Sequence, residues 1–286
     1  MQTTSETTVT RDNLEAIEDV LVTAEWLAAR LSDPKVRVVE VDVSSDGYDD
    51  WHIDGAVMWN VYRDLKDADY CLVETAGFES LLARSGIRPE STVVFYGYAP
   101  AMGFWLMKLY GHLDVRILDC SRDAWRANGH PWSNSSPLPQ SGRYQLGLTD
   151  SRIRAERWVV QDSLGGSQED VVDVRSIAEY RGDCFWPSGA SEPNGRTGHV
   201  PFAIHQPMDR LYDDRGAFRP LADLRGVFSS IDVDDDKEII TYCTIGGRAA
   251  TAWFVLTYLL GRDCVRVYDG SWAEWGRRTD TPVEWS

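Results

Sequence analysis

The feature that most constrains the fold of this chain is an internal repeat. Four segments of the first half are VRVVEVDV (36–43), HIDGA (52–56), STVVFYG (91–97) and VRILDCSRDAW (115–125). Their counterparts follow in the same order: DVVDV (170–174), HVPFA (199–203), KEIITYC (237–243) and VRVYDGSWAEW (265–275). The repeat predicts two copies of one structural unit. A chain of 286 residues has room for two domains.

Each copy has the pattern of an α/β domain. Apolar, β-branched runs such as 38–42 and 171–174 include acidic residues at or near their ends and are typical of buried parallel strands. Helical stretches separate them, for example Ala249 to Leu260, which glycines flank on both sides. The alternation predicts two tandem domains, each a central, mostly parallel sheet flanked by helices. Functional sites in such sheets lie at the carboxyl ends of strands.

Changes in composition suggest the domain boundaries. We expect a flexible N-terminus over residues 1–18, a first domain over 19–135, a linker over 136–150 and a second domain over 151–286. The linker falls within a stretch rich in Ser, Pro and Gly. A loop from Cys184 to Gly198 has no counterpart in the first copy, and such an insertion commonly shapes a site.

Charge and cysteine content exclude several classes of function. The net charge of −16 argues against nucleic acid or an anionic membrane as a partner. The longest apolar run, Ala252 to Leu260, is too short to span a bilayer, and the polar, acidic start does not resemble a signal peptide. Five scattered cysteines without a CxxC pair do not form a disulfide framework. We therefore expect a cytoplasmic protein.

The chemistry is concentrated in the segment IITYCTIGGRAATAWF (239–254). A predicted strand runs directly into Cys243, and a predicted helix begins after Arg248. Gly246 and Gly247 allow the backbone to curl so that N–H groups point inward. The helix N-terminus and Arg248 add positive potential, which favours a thiolate at Cys243 and attracts an anionic substrate to an acidic protein.

This segment resembles the six-residue active-site loop of the rhodanese family, in which Cys is first and Arg is often last. Three further segments resemble family motifs in the same order: Asp173-Val174-Arg175 with Glu179-Tyr180, Gly198-His199-Val200-Pro201, and Asp269-Gly270-Ser271-Trp272 with Trp275. The resemblance covers about residues 20–280 in tandem form. It implies a two-domain thiosulfate sulfurtransferase that needs no metal and no organic cofactor.

The resemblance also implies roles for individual residues. Cys243 would be the catalytic residue and would carry the transferred sulfur as a persulfide. The substrate-binding candidates are Thr244, Ile245, Gly246, Gly247, Arg248 and, at the end of the inserted loop, Arg196. Asp173, Arg175 and His199 would support the loop, the first two by ion pairing.

The first copy lacks the nucleophile. Gly97 occupies the position that matches Cys243, and the following loop YAPAMG contains neither Cys nor Arg. This copy resembles the inactive N-terminal half of tandem rhodaneses. We expect it to pack against the second domain and to supply one wall of the cleft.

The donor and the acceptor remain open. We expect a small anionic sulfur donor, with cyanide, a thiol or a sulfur-accepting protein as acceptor. Thr244 and Ile245 are neutral where many thiosulfate-preferring members carry Arg or Lys, and Phe202 replaces a small Gly. The alternatives are a 3-mercaptopyruvate sulfurtransferase, against which Arg248 argues, and a persulfide carrier or binding module. A phosphatase or arsenate reductase is a further alternative. Phosphatases of this fold have five residues between Cys and Arg, whereas four residues separate Cys243 from Arg248 here, and the smaller cradle suits a sulfane sulfur better than a phosphoryl group.

Overall fold

The computed structural model describes residues 17–166, 168–208, 210–231 and 236–285. Most of the predicted flexible N-terminus, residues 1–18, lies outside the described residues. Each half of the described chain contains a five-stranded sheet with parallel strands. The predicted fold class, two tandem α/β domains, is confirmed.

The first half builds its sheet from short, largely apolar strands. The strands are β1 (Leu21–Val22), β2 (Val36–Asp42), β3 (His52–Ile53), β4 (Val57–Asn60), β5 (Thr92–Gly97), β6 (Val115–Leu118) and β7 (Trp132–Ser133). The helices are α1 (Ala24–Ala28), α2 (Asp46–Asp50), α3 (Thr75–Arg84), α4 (Pro100–Leu109) and α5 (Arg122–Ala127), with a π-helical turn at Val61–Leu65. The sheet order is β1-β6-β5-β2-β4, while β3 pairs with β7 in an antiparallel ribbon.

The second half repeats this topology. Its strands are β8 (Arg154–Ala155), β9 (Glu169–Asp173), β10 (Ile204–His205), β11 (Glu238–Tyr242) and β12 (Val265–Tyr268). Its helices are α6 (Arg157–Asp162), α7 (Ile177–Arg181), α8 (Leu221–Val227), α9 (Gly247–Phe254) and α10 (Ser271–Trp275), and α9 continues into a π-helical turn at Val255–Leu259. The order β8-β12-β11-β9-β10 matches that of the first sheet strand for strand.

The two halves share one hydrophobic core. The largest cluster of buried apolar side chains contains residues from both sheets and from the helices between them. Phe104 of α4 packs against Phe254 of α9 with ring centroids 5.0 Å apart, and against Trp253 at 6.2 Å. Burial of each large side chain contributes about 1.5–3 kcal/mol, so this contact stabilises the pairing of the two halves.

Residues 136–150 contain no helix or strand and lie along the first half. Tyr144 is buried there and its hydroxyl contacts Nδ1 of His112 at 2.7 Å. The Gly142 N–H donates to the Ala83 carbonyl. Within the described ranges, each helix falls short of the length or the apolar character that crossing a membrane requires.

Candidate active site

Cys243 lies directly after β11, at the carboxyl end of the central strand of the second sheet. Its side chain is almost fully buried, and Sγ accepts a hydrogen bond from the Gly246 N–H at 3.1 Å. Gly246 has a φ of +94°, and a Cβ there would lie 3.0 Å from the Asp269 carbonyl oxygen. Glycine is therefore required for the curl that points this N–H at the sulfur.

Helix α10 fixes the backbone of the loop from outside. The Cys243 N–H donates to Ser271 Oγ at 3.2 Å. The N–H groups of Trp272 and Ala273 donate to the carbonyls of Cys243 and Thr244, both at 2.9 Å. These bonds satisfy the carbonyl groups of Cys243 and Thr244. The loop continues into α9, whose N-terminus adds positive potential beside the sulfur.

Arg248 forms a bidentate ion pair with the buried carboxylate of Glu179. Its Nη1 and Nη2 lie 2.9 and 2.8 Å from the two carboxylate oxygens, and Nη2 also donates to Thr244 Oγ1 at 2.7 Å. Burial alone would raise the pKa of Glu179, but the hydrogen bonds and charge of Arg248, with bonds from Thr244 and Ser176, lower it to about 2. Glu179 is thus a carboxylate at neutral pH, and the charge of Arg248 is already paired.

Asp173 and Arg175 form a fully buried ion pair beneath the loop. Arg175 Nη2 lies 2.6 Å from Asp173 Oδ2, which also accepts a 2.6 Å hydrogen bond from the Tyr242 hydroxyl. The guanidinium lies over the Trp272 ring, 4.5 Å from its centroid. The pair therefore connects β9, β11 and α10, which together carry the loop.

Two other predicted residues lie away from the sulfur. The His199 ring stacks on Tyr180 at 3.8 Å, and its Nδ1 contacts the Tyr180 carbonyl at 2.8 Å. The Arg196 guanidinium donates to carbonyls of the C-terminal segment, including Thr281 at 2.8 Å and Trp275 at 3.2 Å. The structure does not bring Arg196 to the cavity at Cys243, because these carbonyls hold its guanidinium.

A lysine from the first half reaches the back of the loop. The Lys66 side chain is fully buried, and its Nζ donates to the Asp269 carbonyl at 2.6 Å. A Cβ on Gly246 would lie 3.5 Å from this Nζ. Burial lowers the pKa of Lys66, and the neighbouring carboxylate of Asp269 opposes this effect. The first half thus places a cationic group beside the cradle of the second.

A cavity of about 390 Å³ opens over Cys243 between the two halves. Tyr62 and Tyr98 line it from the first half, and Trp186 of the inserted loop lines it from the second. The Trp186 ring also contacts Tyr70 of the first half, with centroids 5.5 Å apart. Of the described residues that line this cavity, Arg248 is the one with a basic side chain, and the lining contains no Asp or Glu.

Comparison with known families identifies this arrangement. A family model described as the rhodanese-like domain matches residues 23–128 and again residues 158–278. The chain belongs to the rhodanese family. The two matched segments correspond to the two sheets, so the tandem arrangement of rhodanese-like domains is also confirmed.

Curated relatives match over nearly their full length. The chain is 38% identical over 276 residues to the "Sulfur carrier protein TtuD" of Thermus thermophilus, covering 93% of this chain and 96% of that protein. It is 36% identical over 275 residues to a "Putative thiosulfate sulfurtransferase" of Saccharopolyspora erythraea, with 93% and 96% covered. These relatives support sulfur transfer as the general activity of this rhodanese-family chain.

Solved structures share the fold of this rhodanese-family chain. The anaerobic ergothioneine biosynthesis enzyme of Chlorobium limicola, in complex with trimethyl histidine, superposes with a TM-score of 0.82 at 22% identity, covering 94% of this chain and 71% of that one. YnjE superposes with a TM-score of 0.80 at 23% identity, with 94% and 68% covered. At this level of identity the likeness concerns the fold.

Several residues of this rhodanese-like site were not predicted as part of it. Glu179 entered only as part of a motif. It lies three residues after Ser176 and belongs to the capping box that begins α7, and a buried glutamate there needs a cationic partner. Lys66 and the aromatic residues Tyr62 and Tyr98 come from the first half. Their local sequence does not indicate that they lie beside the site in the second half. Only the expectation that the first domain supplies one wall pointed to them.

Proposed function

We propose that the chain is a sulfurtransferase that moves a sulfane sulfur from thiosulfate to a thiophilic acceptor through a persulfide on Cys243. One observation carries this proposal: Cys243 Sγ lies at the floor of an open cavity and accepts the Gly246 N–H at 3.1 Å. A hydrogen-bond donor at this distance stabilises negative charge on sulfur. Neither a metal nor an organic cofactor takes part in the proposed reaction.

In the first half-reaction, the Cys243 thiolate attacks the outer sulfur of thiosulfate. The new bond joins Sγ to the sulfane sulfur, the S–S bond of thiosulfate breaks, and sulfite leaves with the electron pair. The backbone N–H groups from Thr244 to Arg248 would hold the charge of the persulfide, with Ile245 and Gly247 shaping the cradle. Arg248 keeps the loop curled through Glu179 and faces the incoming donor.

In the second half-reaction, cyanide or a thiolate attacks the outer persulfide sulfur. The bond between the two sulfurs breaks, and Cys243 leaves as the thiolate in which it began. This ping-pong scheme splits one difficult transfer into two easier steps. Asp173, Arg175 and His199 position the strands and the helix that carry the loop, without contact to the reacting atoms. We place the reaction in the cytoplasm, in keeping with five free cysteines.

Intact mass spectrometry after incubation with thiosulfate tests the proposal. We expect the wild-type chain to gain about 32 Da, one sulfur atom. The Cys243→Ser variant should gain nothing, whereas Cys264→Ser, which changes an exposed cysteine, should load like the wild type. Full sulfur loading of the Cys243→Ser variant would overturn the assignment of Cys243.

A persulfide carrier is the second candidate, and the similarity to a protein named as a sulfur carrier favours it. A carrier would load sulfur at the same rate but release it slowly to cyanide and rapidly to a partner protein. The two functions are separated by comparing the single-turnover rate at which sulfur is released to cyanide with the rate at which it is released to proteins of an extract of the source cells. If thiosulfate does not load the chain and 3-mercaptopyruvate does, the donor is the latter.

A further inference from the structure

We infer that the acceptor is a small organic thiol with an uncharged, apolar and preferably aromatic body, held between Tyr62, Tyr98 and Trp186. This inference rests on the proposed persulfide chemistry at Cys243 and names the substrate class of its second half-reaction. It also gives the first domain, which has no nucleophile, a part in selecting that substrate.

The cavity over Cys243 is larger than cyanide or thiosulfate requires. Its volume is about 390 Å³. A water molecule occupies about 30 Å³ in the liquid, so the cavity has room for about a dozen groups of that size. Cyanide or thiosulfate would fill a small part of this volume and leave the aromatic walls in water. An acceptor with a ring or a branched chain would fill it.

The walls of the cavity offer no unpaired basic side chain among the described residues. The cation on the cavity wall, Arg248, is neutralised by Glu179 through two hydrogen bonds of 2.8 and 2.9 Å. The Lys66 ammonium is fully buried behind the loop and bonded to the Asp269 carbonyl. The chain as a whole carries a charge of −16. The compact thiosulfate dianion can be held by the backbone N–H groups of the loop at Cys243, but a carboxylate on the body of an acceptor would lie among the aromatic walls and would find no unpaired cation on the described walls.

Aromatic side chains form the rim of the cavity. Tyr98 and Tyr62 are 63% and 41% exposed, although both border the cavity. Large aromatic side chains that remain in water around an apolar pocket mark a place where a ligand removes them from solvent. Tyr98 follows directly after Gly97, so the loop that lacks the nucleophile in the first domain presents a ring to the nucleophile of the second.

The chemistry needs no additional reactant. The acceptor thiol loses its proton to solvent, and its thiolate attacks the outer sulfur of the Cys243 persulfide. A bond forms between the acceptor sulfur and the outer sulfur, and the bond from the outer sulfur to Sγ breaks. The products are an organic hydropersulfide and the Cys243 thiolate, so atoms and electrons balance.

The test uses chain loaded with thiosulfate and freed of excess donor. Release of the sulfur is followed by rapid-quench intact mass with equal concentrations of benzyl mercaptan, 2-mercaptoethanol, glutathione and cyanide. We expect benzyl mercaptan to react at least about tenfold faster than 2-mercaptoethanol, as burial of its ring allows. Glutathione should be slower than either neutral thiol.

Variants of the rim assign the selectivity to the aromatic residues. Tyr98→Ala and Trp186→Ala should each lower the ratio of the benzyl mercaptan rate to the 2-mercaptoethanol rate by about fivefold, while Tyr98→Phe should keep it. Trp158→Ala, at an exposed tryptophan away from the cavity, is the matched control and should leave the ratio unchanged. Normalising to circular dichroism of each variant separates loss of fold from loss of selectivity.

Two outcomes would overturn the inference, and they differ from failure of the proposed function. Equal rates for the two neutral thiols, or glutathione as the fastest acceptor, would show that the rim does not select an apolar body. In both cases the chain would still load sulfur on Cys243. Absence of loading from any donor would instead refute the persulfide function itself.

Discussion

The two rhodanese-like domains differ most at the loop that joins their central strand to the next helix. In the second domain this loop curls around Cys243 Sγ and directs the Gly246 N–H toward it. In the first domain Gly97 has a φ of +105°, and a Cβ there would lie 2.9 Å from the Val41 carbonyl oxygen. The first domain therefore differs by more than a missing thiol, because a cysteine at position 97 would require its backbone to move.

The frameworks beneath the two loops remain alike. A histidine stacks on a tyrosine in each domain, His52 on Tyr48 at 3.9 Å and His199 on Tyr180 at 3.8 Å. In each domain a tyrosine hydroxyl near the end of the central strand accepts the N–H of the residue after that histidine, at 3.1 Å. The packing of the two domains is therefore alike although their loops after the central strand differ.

The largest effect should come from moving the cysteine to the equivalent position of the first domain. In a Cys243→Ser background, Gly97→Cys should not restore sulfur loading, since the residue at 97 needs a positive φ and its Cβ would collide with the β2 backbone. We expect no 32 Da gain, the mass of one sulfur, against complete loading of the wild type. The Gly97→Cys change alone should also lower thermal stability. A mass gain in the double variant would contradict this account.

Removing the arginine that pairs with a buried carboxylate in each domain should give unequal losses of stability. Arg175 and Asp173 are both inaccessible to solvent, so Arg175→Met leaves a buried carboxylate unpaired and should cost about 3–5 kcal/mol. Arg122 pairs with Glu40 at 3.1 Å in the first domain, but it is 18% exposed. Burial raises the pKa of Glu40, so that carboxyl can take up a proton when Arg122→Met removes its partner.

We therefore expect Arg122→Met to cost about 1–2 kcal/mol. Urea titrations followed by tryptophan fluorescence measure both losses, with each midpoint compared to that of the wild type. Equal losses of stability in the two variants would show that the two ion pairs contribute equally to the free energy of unfolding. The difference between the domains would then be confined to the loop.

Local patterns were enough to predict much of this architecture. The strand that runs into Cys243, the two glycines and the helix after Arg248 all follow from the order of residues within 16 positions. Asp173 and Arg175 could be paired from the sequence because they lie two residues apart at the end of a strand. Such contacts need no knowledge of how the two domains meet.

Contacts across the domains were beyond the sequence. Lys66 and Asp269 are 203 residues apart, and an ordinary lysine in a polar segment gives no sign that it will be buried. The place of Arg196 in the inserted loop suggested a substrate contact, whereas the structure places its guanidinium against backbone carbonyls. The carbonyls that hold its guanidinium belong to a segment about 80 residues later, which local sequence does not reveal.

Acid should weaken the second domain through Glu179, which has no counterpart in the first. The residue before the stacked tyrosine is Glu179 in one domain and Gly47 in the other. The pKa of Glu179 is lowered from 4.5 to about 2, so its carboxylate stabilises the fold above pH 4.5. That contribution disappears as the pH falls from 4.5 toward 2.

We expect Glu179→Gln to cost about 2 kcal/mol at pH 7, less than the full pKa shift implies because Arg248 is partly exposed. The variant should also lose less stability than the wild type between pH 4.5 and 2. Urea midpoints across this range measure the difference, with exposed Glu90→Gln as the control. Parallel pH profiles for wild type and Glu179→Gln would refute the role of this carboxylate.

The smallest effect should come from changing Lys66, the buried lysine of the first domain that lies beside the loop of the second domain. Lys66→Met removes the 2.6 Å hydrogen bond to the Asp269 carbonyl, while the Asp269 carboxylate keeps Arg154 at 2.8 Å. Relief of a buried charge offsets part of the loss, so the cost to stability should be about 1 kcal/mol. Loading of Cys243 by thiosulfate should slow roughly two- to fivefold, because a positive charge next to the cradle is gone. Stopped-flow measurement of the loading rate checks this effect, with the exposed Lys35→Met as the control. An unchanged rate would mean that the first domain contributes walls to the site but no charge.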